Sequence, residues 1–396
     1  MATTLTMLSY AMFGPGLWLA LGCGMMAARV RMSRLSWSRA KLPAKPPKLA
    51  IVIPARNEGR YIGRCMESIL TQAYPGGEFV VVAVNDRSTD NTGAELDAVA
   101  ARDPRLLVLH LTEKPDDWLG KCHALHRGVE AVPANTEWIL FIDSDVSLND
   151  NALSRTMALT LERGIDAVSA LTRQRCETVW EKLCTPVACA AIVAMYLASL
   201  TNVDRWRNTA FANGQFFLIR RSAYLKVGGH EVVRHWPCED IELMRLLKQH
   251  DFKCRLYSGE DLAETRFYDS VTRMFEGWGR IYSGASGRRP YRILAAMVFV
   301  ASGAAAFFAL PWALAEAYAS GGGWNLWTSL AAVHLTAVLA CLAAVYRWSG
   351  NAMWYGVFFP FTAVMQTAFF VYALWWCLTN KMIWRGTAYS TPTGRA

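Results

Sequence analysis

The stretch Trp138-Ile-Leu-Phe-Ile-Asp-Ser-Asp145 decides how this chain folds. Five apolar residues in a row read as a strand buried on both faces, and two carboxylates one residue apart follow at its carboxyl end. Upstream the same grammar repeats. Leu49-Ala-Ile-Val-Ile-Pro54 is an apolar strand that runs into Pro54-Ala-Arg-Asn-Glu58, Glu78–Val84 is a strand that runs into Asn85-Asp-Arg-Ser-Thr-Asp90, and Leu106–His110 is another. Between them, Arg60–Gln72 carries Ile62, Cys65, Met66, Ile69 and Leu70 at helical spacing. Thr89–Ala101 opens on the helix-start residues Ser88, Thr89 and Asp90, and Cys122–Ala131 fits a third helix. Short apolar strands alternating with helices predict an α/β fold with crossover helices and a parallel arrangement, in which ligands collect at the carboxyl ends of the strands.

Those strand ends carry the polar chemistry. Pro54 closes the first strand, and Asn57-Glu58 enters the following helix, where backbone amides and a carboxylate can meet a ligand or simply cap the turn. Capping accounts for Ser88 to Asp90, whereas Asp86, at the strand end itself, needs another explanation. Asp143 and Asp145 would lie close together without a counter-charge, a costly arrangement unless a cation bridges them. Oxygen ligands suit Mg²⁺ or Mn²⁺, ions that commonly share their coordination with substrate phosphates.

The 396 residues are 53% hydrophobic and 18% charged, with mean hydropathy +0.15, which excludes a disordered chain and an ordinary soluble enzyme. The net charge of +9 resolves by region into +7 over residues 1–48, −5 over 49–270 and +7 over 271–396. Basic excess therefore flanks the apolar segments while the polar middle is mildly acidic, which argues against a nucleic-acid binder. The ten cysteines (Cys23, Cys65, Cys122, Cys176, Cys184, Cys189, Cys238, Cys254, Cys341 and Cys377) are scattered, without zinc spacing or a disulfide framework, and fit a reducing compartment for the polar middle.

Met7 to Ala28 is long enough to cross a bilayer and is followed by Arg29, Arg31, Arg34, Arg39, Lys41, Lys45 and Lys48, the polarity of an uncleaved anchor with its C-terminal flank in the cytosol. Pro43, Pro46 and Pro47 stiffen the linker that follows. Three further apolar blocks lie at Ile293–Tyr318, Leu326–Tyr346 and Trp354–Leu378, and a shorter one at Leu183–Leu200 reads as a buried or interfacial helix of the polar domain. If the anchor and all three late blocks crossed, the C-terminus would lie outside, against the preference of Lys381, Arg385 and Arg395 for the inside. Trp354–Leu378, with Pro360 and Gln366, is therefore expected to be interfacial or re-entrant.

Together these motifs resemble glycosyltransferase family 2, over roughly residues 48–290 and a short C-terminal element. The resemblance implies the GT-A fold, a Rossmann-like mixed sheet. It implies a glycosyltransferase domain over 49–290, with a nucleotide-sugar half at 49–150 and an acceptor half at 151–290, which follows the anchor over 1–30 and the linker over 31–48 read from the residues. Membrane helices then occupy 291–380 and a juxtamembrane tail 381–396. By the same resemblance Pro54, Glu58 and Asp86 hold the nucleotide, with Asp86 facing the base, and Asp143 and Asp145 bind metal and diphosphate. Gly120-Lys-Cys-His-Ala-Leu125 looks like the family's Gly-Lys-x-x-Ala-Leu element and brings Lys121 to the nucleotide or its phosphates. Asn213-Gly-Gln-Phe-Phe-Leu-Ile-Arg-Arg221, with Gly214 and Gln215, matches the acceptor side, and Cys238-Glu-Asp240 matches the acidic pair in which Glu239 precedes the general base, Asp240. His230 and His235 are expected to be structural or substrate-shaping. The family's Gln-x-x-Arg-Trp motif is altered here to Arg273-Met-Phe-Glu-Gly-Trp278-Gly-Arg280: Trp278 is kept, Gly277 replaces the arginine, and Arg280 becomes a candidate diphosphate partner. Ile383-Trp-Arg-Gly-Thr-Ala-Tyr389 is similar to the Trp-Arg-Gly-x-x-Tyr tail of lipid glycosyltransferases, adding Trp384 and Arg385 on the acceptor side.

The reaction so implied is inverting transfer of a sugar from a nucleotide-sugar, most often UDP-linked, to an acceptor hydroxyl, with Mg²⁺ or Mn²⁺. Arg175-Cys-Glu-Thr-Val-Trp-Glu-Lys182 resembles a stretch of hopene-associated glycosyltransferases, while the tail resembles ceramide and carotenoid types. The expected acceptor is accordingly a membrane lipid, at a multi-pass protein of the cell inner membrane whose catalytic domain is cytosolic. A processive polysaccharide synthase is the alternative within the family, and a non-catalytic membrane scaffold the alternative outside it.

Overall fold

The computed structural model describes residues 2–32, 39–266, 268, 270–287, 289–379, 382–384 and 387–389. It begins with α1 (Ala2–Ala11) and α2 (Leu17–Arg31), joined through a wider helical turn, Met12–Gly16, where Pro15 removes a backbone donor. Strands and helices then alternate as β1 (Leu49–Ala55), α3 (Ile62–Leu70), β2 (Phe79–Asp86), α4 (Thr92–Ala100), β3 (Leu106–Leu111), α5 (Gly120–Glu130) and β4 (Trp138–Phe141). Next come β5 (Val146–Leu148), α6 (Ala152–Glu162), β6 (Ala167–Gln174), α7 (Val179–Met195), β7 (Phe217–Arg220), α8 (Arg221–Lys226), α9 (Gly229–Val232), α10 (Glu239–Gln249) and β8 (Cys254–Thr265). The chain closes with α11 (Val271–Ala285), α12 (Pro290–Ala319), α13 (Leu326–Trp348), α14 (Phe359–Thr379) and a hairpin of β9 (Met382–Trp384) and β10 (Thr387–Tyr389). Two compact units result: Arg31–Arg175 with Tyr196–Phe267, and Met1–Val30 with Cys176–Met195 and Tyr268–Ala396.

The first unit is built on an eight-stranded sheet in the order β3-β2-β1-β4-β7-β6-β8-β5. β1 to β4 are parallel to one another, β7 runs antiparallel to β4 and β6, and β8 is parallel to β6 but antiparallel to β5. Alternate residues of β1 serve opposite cores, Leu49, Ile51 and Ile53 on one face and Ala50 and Val52 on the other. Burial on both faces is why the strand reads as an unbroken apolar run. Gly128 lets α5 lie close over this sheet, since a Cβ there would come within 2.5 Å of Val52 Cγ1.

β2 extends through Asp86, and α4 starts only at Thr92 with Asn91 at its N-cap, so the expected helix start at Ser88 to Asp90 is corrected: Ser88 serves the loop after β1, and Asp90 both that loop and Thr92 N–H. Ser88 Oγ accepts from Asn57 N–H (3.0 Å), Asp90 Oδ2 from Gly59 N–H (3.0 Å), Thr92 Oγ1 from Glu58 N–H (2.8 Å), and Asn57 Oδ1 from Thr89 N–H (2.8 Å). The loops after β1 and β2 are thereby laced into one polar platform.

In the second unit, Leu5–Arg31, Pro290–Ala319, Leu326–Trp348 and Met353–Thr379 are long and apolar enough to cross a membrane. Their outward faces keep Leu8, Phe13, Val298, Phe308, Trp312 and Val364 exposed. α13 runs alongside the N-terminal helix: His334 Nδ1 meets Tyr10 OH at 2.9 Å, Cys341 Sγ donates to Trp18 O at 3.4 Å, and Arg29 lies over the Trp348 ring. The chain from Trp348 to Cys377 then leaves and regains one end of the bundle. Phe359, at the start of α14, packs on Trp18 and Phe307 well inside, while Cys377 contacts Ser283 and Ser286, just before α12 begins.

Pro360 lies in the first turn of α14, where its missing donor costs nothing, and Gln366 is bonded at both ends of its amide. Tyr282 OH donates to Gln366 Oε1 (2.7 Å), and Gln366 Nε2 donates to Cys184 O (3.0 Å). Tyr346 OH donates to the neighbouring Leu183 O (2.8 Å), so both partners serve carbonyls beside the helix-interior Pro186. The Leu183–Leu200 block is corrected on two points. Its helix ends at Met195, and Cys176–Met195 packs with the apolar helices rather than with the sheet, because Tyr346 and Gln366 satisfy its carbonyls there.

Candidate active site

At the carboxyl end of β4 and the amino end of the antiparallel β7 lies a recess lined by Lys121, Phe141, Ile142, Asp143, Gly214, His230, Glu239 and Asp240 among others. Lys121, at the start of α5, is its centre. Its Nζ lies 2.8 Å from Asp143 Oδ1 and 2.9 Å from Glu239 Oε1, tying the end of β4 to the start of α10. Burial opposes the charge on Lys121, but Asp143, Glu239 and Asp240 outweigh it and hold the ammonium well above the usual lysine range. The expectation that Asp143 lacks a counter-charge is therefore corrected: Lys121 supplies one, from a helix 22 residues upstream.

Asp240 is fixed by two backbone donors, Gly214 N–H to Oδ2 at 2.6 Å and Ile241 N–H to Oδ1 at 2.9 Å. Burial first, and then the charge of Glu239, push its carboxyl up to about 7, while Lys121 and the Ile241 amide pull the other way. The position at the start of α10, which favours acids, does not cancel this. Gly214 leaves little room for a larger residue here, since a Cβ would stand 3.0 Å from Lys121 Nζ and 3.1 Å from Asp240 Oδ2 and would make both give by a few tenths of an ångström. Gln215 is buried beside it, its Oε1 accepting from Thr172 Oγ1 (2.5 Å) and Asn213 Nδ2 (3.1 Å). His230 lines the recess as a neutral ring, pushed down to about 3 by burial and the nearby Lys121, and its Nδ1 meets Tyr224 OH at 2.8 Å.

The remaining sheet-unit candidates lie on the adjoining strand ends. Asp145 is half-buried in the turn after β4, where Val146 N–H donates to Asp143 O (3.2 Å). Pro54 is the penultimate residue of β1, which runs one residue further than expected, to Ala55, and Glu58 is buried in the laced platform. Asp86 is buried, and Arg87 folds back on it with both nitrogens, at 2.8 and 3.1 Å. Arg87 adopts a left-handed backbone (φ 54°), which turns its side chain toward its own neighbour. Arg87 was not singled out from the sequence; its only signal there is adjacency to Asp86. Asp143 and Asp145 offer hard oxygen donors, and among the described residues no third acidic, His or Cys side chain completes a metal cluster with them. Such a pair fits Mg²⁺ or Mn²⁺ whose other ligands are water and substrate phosphate.

Trp278 and Arg280 lie on α11, in the helical unit. Trp278 is buried against Tyr268 and Tyr282, with ring centroids 5.9 Å away in each case. At Gly277, where an arginine was expected, a Cβ would fall 1.9 Å from the Tyr268 ring, so the tyrosine occupies the space a larger side chain needs. Trp384 is the last residue of β9, and Arg385 lies outside the described residues.

Residues 46–275 match the family described as "Glycosyltransferase like family 2". The 4,4'-diaponeurosporenoate glycosyltransferase of Staphylococcus aureus strain MRSA252 is 30% identical over 259 residues, covering 63% of this chain and 64% of the relative. Its counterpart in strain USA300 is 29% identical over the same shares. The chain thus spans a little under two thirds of the length of these curated relatives. A mannosyltransferase from Pyrobaculum calidifontis, solved in complex with GDP-Man and Mn²⁺, superposes with a TM-score of 0.52 at 16% identity, covering 92% of this chain and 99% of that one, and shows the shared GT-A fold. With the family match running across the whole eight-stranded sheet and the recess beside the end of β4, the chain belongs to glycosyltransferase family 2.

Proposed function

We propose that this protein transfers a sugar from a nucleotide-sugar donor, UDP-linked in the first instance, to a hydroxyl of a membrane lipid, with inversion at the anomeric carbon. The observation that carries this reading is the single recess in which Asp240, Glu239, Lys121 and Asp143 converge. Asp240 takes the proton from the attacking hydroxyl. Its two backbone hydrogen bonds aim the carboxylate, and a pKa near 7 suits a general base at neutral pH. Lys121 holds Asp143 and Glu239 at fixed separation and keeps positive charge beside the departing diphosphate. A divalent ion held by Asp143 and Asp145 would offset further charge on the diphosphate. Glu58, Asp86 and Pro54 line the laced platform on which the nucleotide would rest, Arg280 is kept as a diphosphate partner, and Trp278, Trp384 and Arg385 are kept for the acceptor side. No covalent nucleophile is needed for one inverting displacement.

The lipid acceptor is supported by the apolar helices and by the carotenoid-acid substrate in the relatives' name. The filled space at Gly277 speaks against the processive-synthase form of the Gln-x-x-Arg-Trp motif. The intact acids of the recess speak against a scaffold. The basic collars and the return of α14 to the end it left fit three crossings plus a re-entrant element in the inner membrane, with the sheet unit and the C-terminus both cytosolic. Purified protein incubated with labelled UDP- and GDP-sugars and total lipid extract tests the reading. A chloroform-soluble labelled product is expected, and a water-soluble polymer in its place would transfer the assignment to polymer synthesis.

A further inference from the structure

Between Leu200 and Thr209 the chain forms a loop that two polar side chains hold in shape. Lys248, only 3% exposed, donates from Nζ to the carbonyls of Leu200 (3.2 Å), Val203 (3.2 Å) and Thr209 (2.8 Å). Asn202 is clasped to β8, accepting from Leu256 N–H (2.7 Å) and donating to Leu256 O (2.9 Å). Two backbone turns, Trp206 N–H to Val203 O and Thr209 N–H to Trp206 O, close the tip. Asp204 is engaged by Arg255, and Arg207 by Asp251. The tip is left with Arg205, exposed and without an acidic partner among the described residues, and Trp206, 42% exposed.

A second observation says what this tip meets. Asn202 also donates from Nδ2 to Arg31 O at 3.0 Å, and the next residue, Met32, is buried. Arg31 ends the segment Leu5–Arg31 that is long and apolar enough to cross a bilayer, so it marks where the chain leaves hydrocarbon. A turn keeps the Cα of Trp206 within roughly 7 Å of that of Val203, and Asn202 is one step of about 3.8 Å further. The Cα of Trp206 is therefore within roughly 11 Å of that of Asn202, whose side chain reaches the carbonyl of the residue at which the membrane-length segment ends. An indole beside a guanidinium is the pair that sits at the boundary of an anionic bilayer.

We propose that Arg205 and Trp206 form a docking tip for an anionic phospholipid surface, with the indole at headgroup level and the guanidinium on lipid phosphate. The inference does not depend on the sugar-transfer reading. The test uses the full chain in phosphatidylcholine nanodiscs with and without phosphatidylglycerol, carrying photoreactive p-benzoylphenylalanine at position 206. The same probe at Leu107, exposed on β3 at the far edge of the sheet, is the control. Phospholipid adducts are expected at 206 and not at 107. In phosphatidylglycerol discs, Arg205→Glu should lower their yield about fivefold or more, the change expected on moving a basic side chain off an anionic surface. Equal lipid yields at the two positions, an adduct with a second protein chain in place of lipid, or a yield indifferent to both phosphatidylglycerol and Arg205→Glu would each overturn the proposal. Both side chains are exposed, so the melting temperatures of the variants should match the parent and keep a negative result meaningful.

Discussion

The raised pKa of Asp240 turns the proposed mechanism into a quantitative pH profile. With the carboxyl near 7, its ionised fraction is about one tenth at pH ~6 and about nine tenths at pH ~8, so kcat/KM should rise about tenfold across that interval. An ordinary aspartate near ~3.9 would give a flat profile over the same range. Because the charge of Glu239 is the second cause of the shift after burial, Glu239→Gln should move the inflection to lower pH. Release of Lys121 from Glu239 acts in the same direction. Stability follows with the sign worked out. A raised carboxyl contributes stability that is fully present below its unfolded pKa and is lost as pH rises through the folded one, here from about 4 to about 7. Asp240→Asn should thus gain in melting temperature relative to the parent as pH rises through that window, while losing transfer but not donor binding. The assay is initial-rate transfer of labelled sugar at constant ionic strength, beside thermal unfolding of the same samples. A flat kcat/KM from pH ~6 to ~8, or an inflection unmoved by Glu239→Gln, would refute the assignment of Asp240 as the base.

Further outcomes test the surrounding architecture. Lys121→Met leaves Asp143 and Glu239 facing each other without their cation, and should cost about 3 kcal/mol in denaturant unfolding together with most activity; an unchanged midpoint would show that the lysine is not the centre of the site. Excess EDTA should abolish transfer and added Mg²⁺ or Mn²⁺ restore it, and Asp145→Asn should raise the metal concentration required; full activity in chelator would remove the metal from the proposal. Gln366→Leu strands Tyr282 OH and Cys184 O inside the helical unit and should cost about 1–3 kcal/mol, read as a lower melting temperature in detergent. A reporter fused to the C-terminus should score on the same side of the membrane as one inserted in the sheet unit; a score on the opposite side would mean that α14 crosses completely.

Much of the sheet was legible because each buried strand declares itself locally. Leu49–Ala55 and Trp138–Phe141 are apolar on both faces, and Phe79–Asp86 is so up to its last two residues, Asn85 and Asp86. Asp143 could be marked for the same reason, standing at a strand end where side chains leave the core, whereas Glu239 and Asp240 were marked by the family resemblance of Cys238-Glu-Asp240. What could not be read is who meets whom. Nothing local assigns Lys121 to Asp143, or shows that Ser88 and Asp90 serve the loop after β1. The short apolar block at 183–200 was misplaced because an interfacial helix and a core helix share one composition, and only its partners Tyr346 and Gln366 separate them.

By itself, the sequence determined the family, the alternation that builds a Rossmann-like sheet, the acidic strand ends and the apolar helices, since each depends on residues within a turn or two of one another. Tertiary structure decided the rest: the lysine that neutralises the acid cluster, the carboxyl near 7 at Asp240, the tyrosine that fills the space beside Gly277, and the return of α14 to the end of the bundle it left. Electrostatics and packing act through space, so groups tens or hundreds of residues apart set each other's charge and room, and only the folded chain brings them within reach.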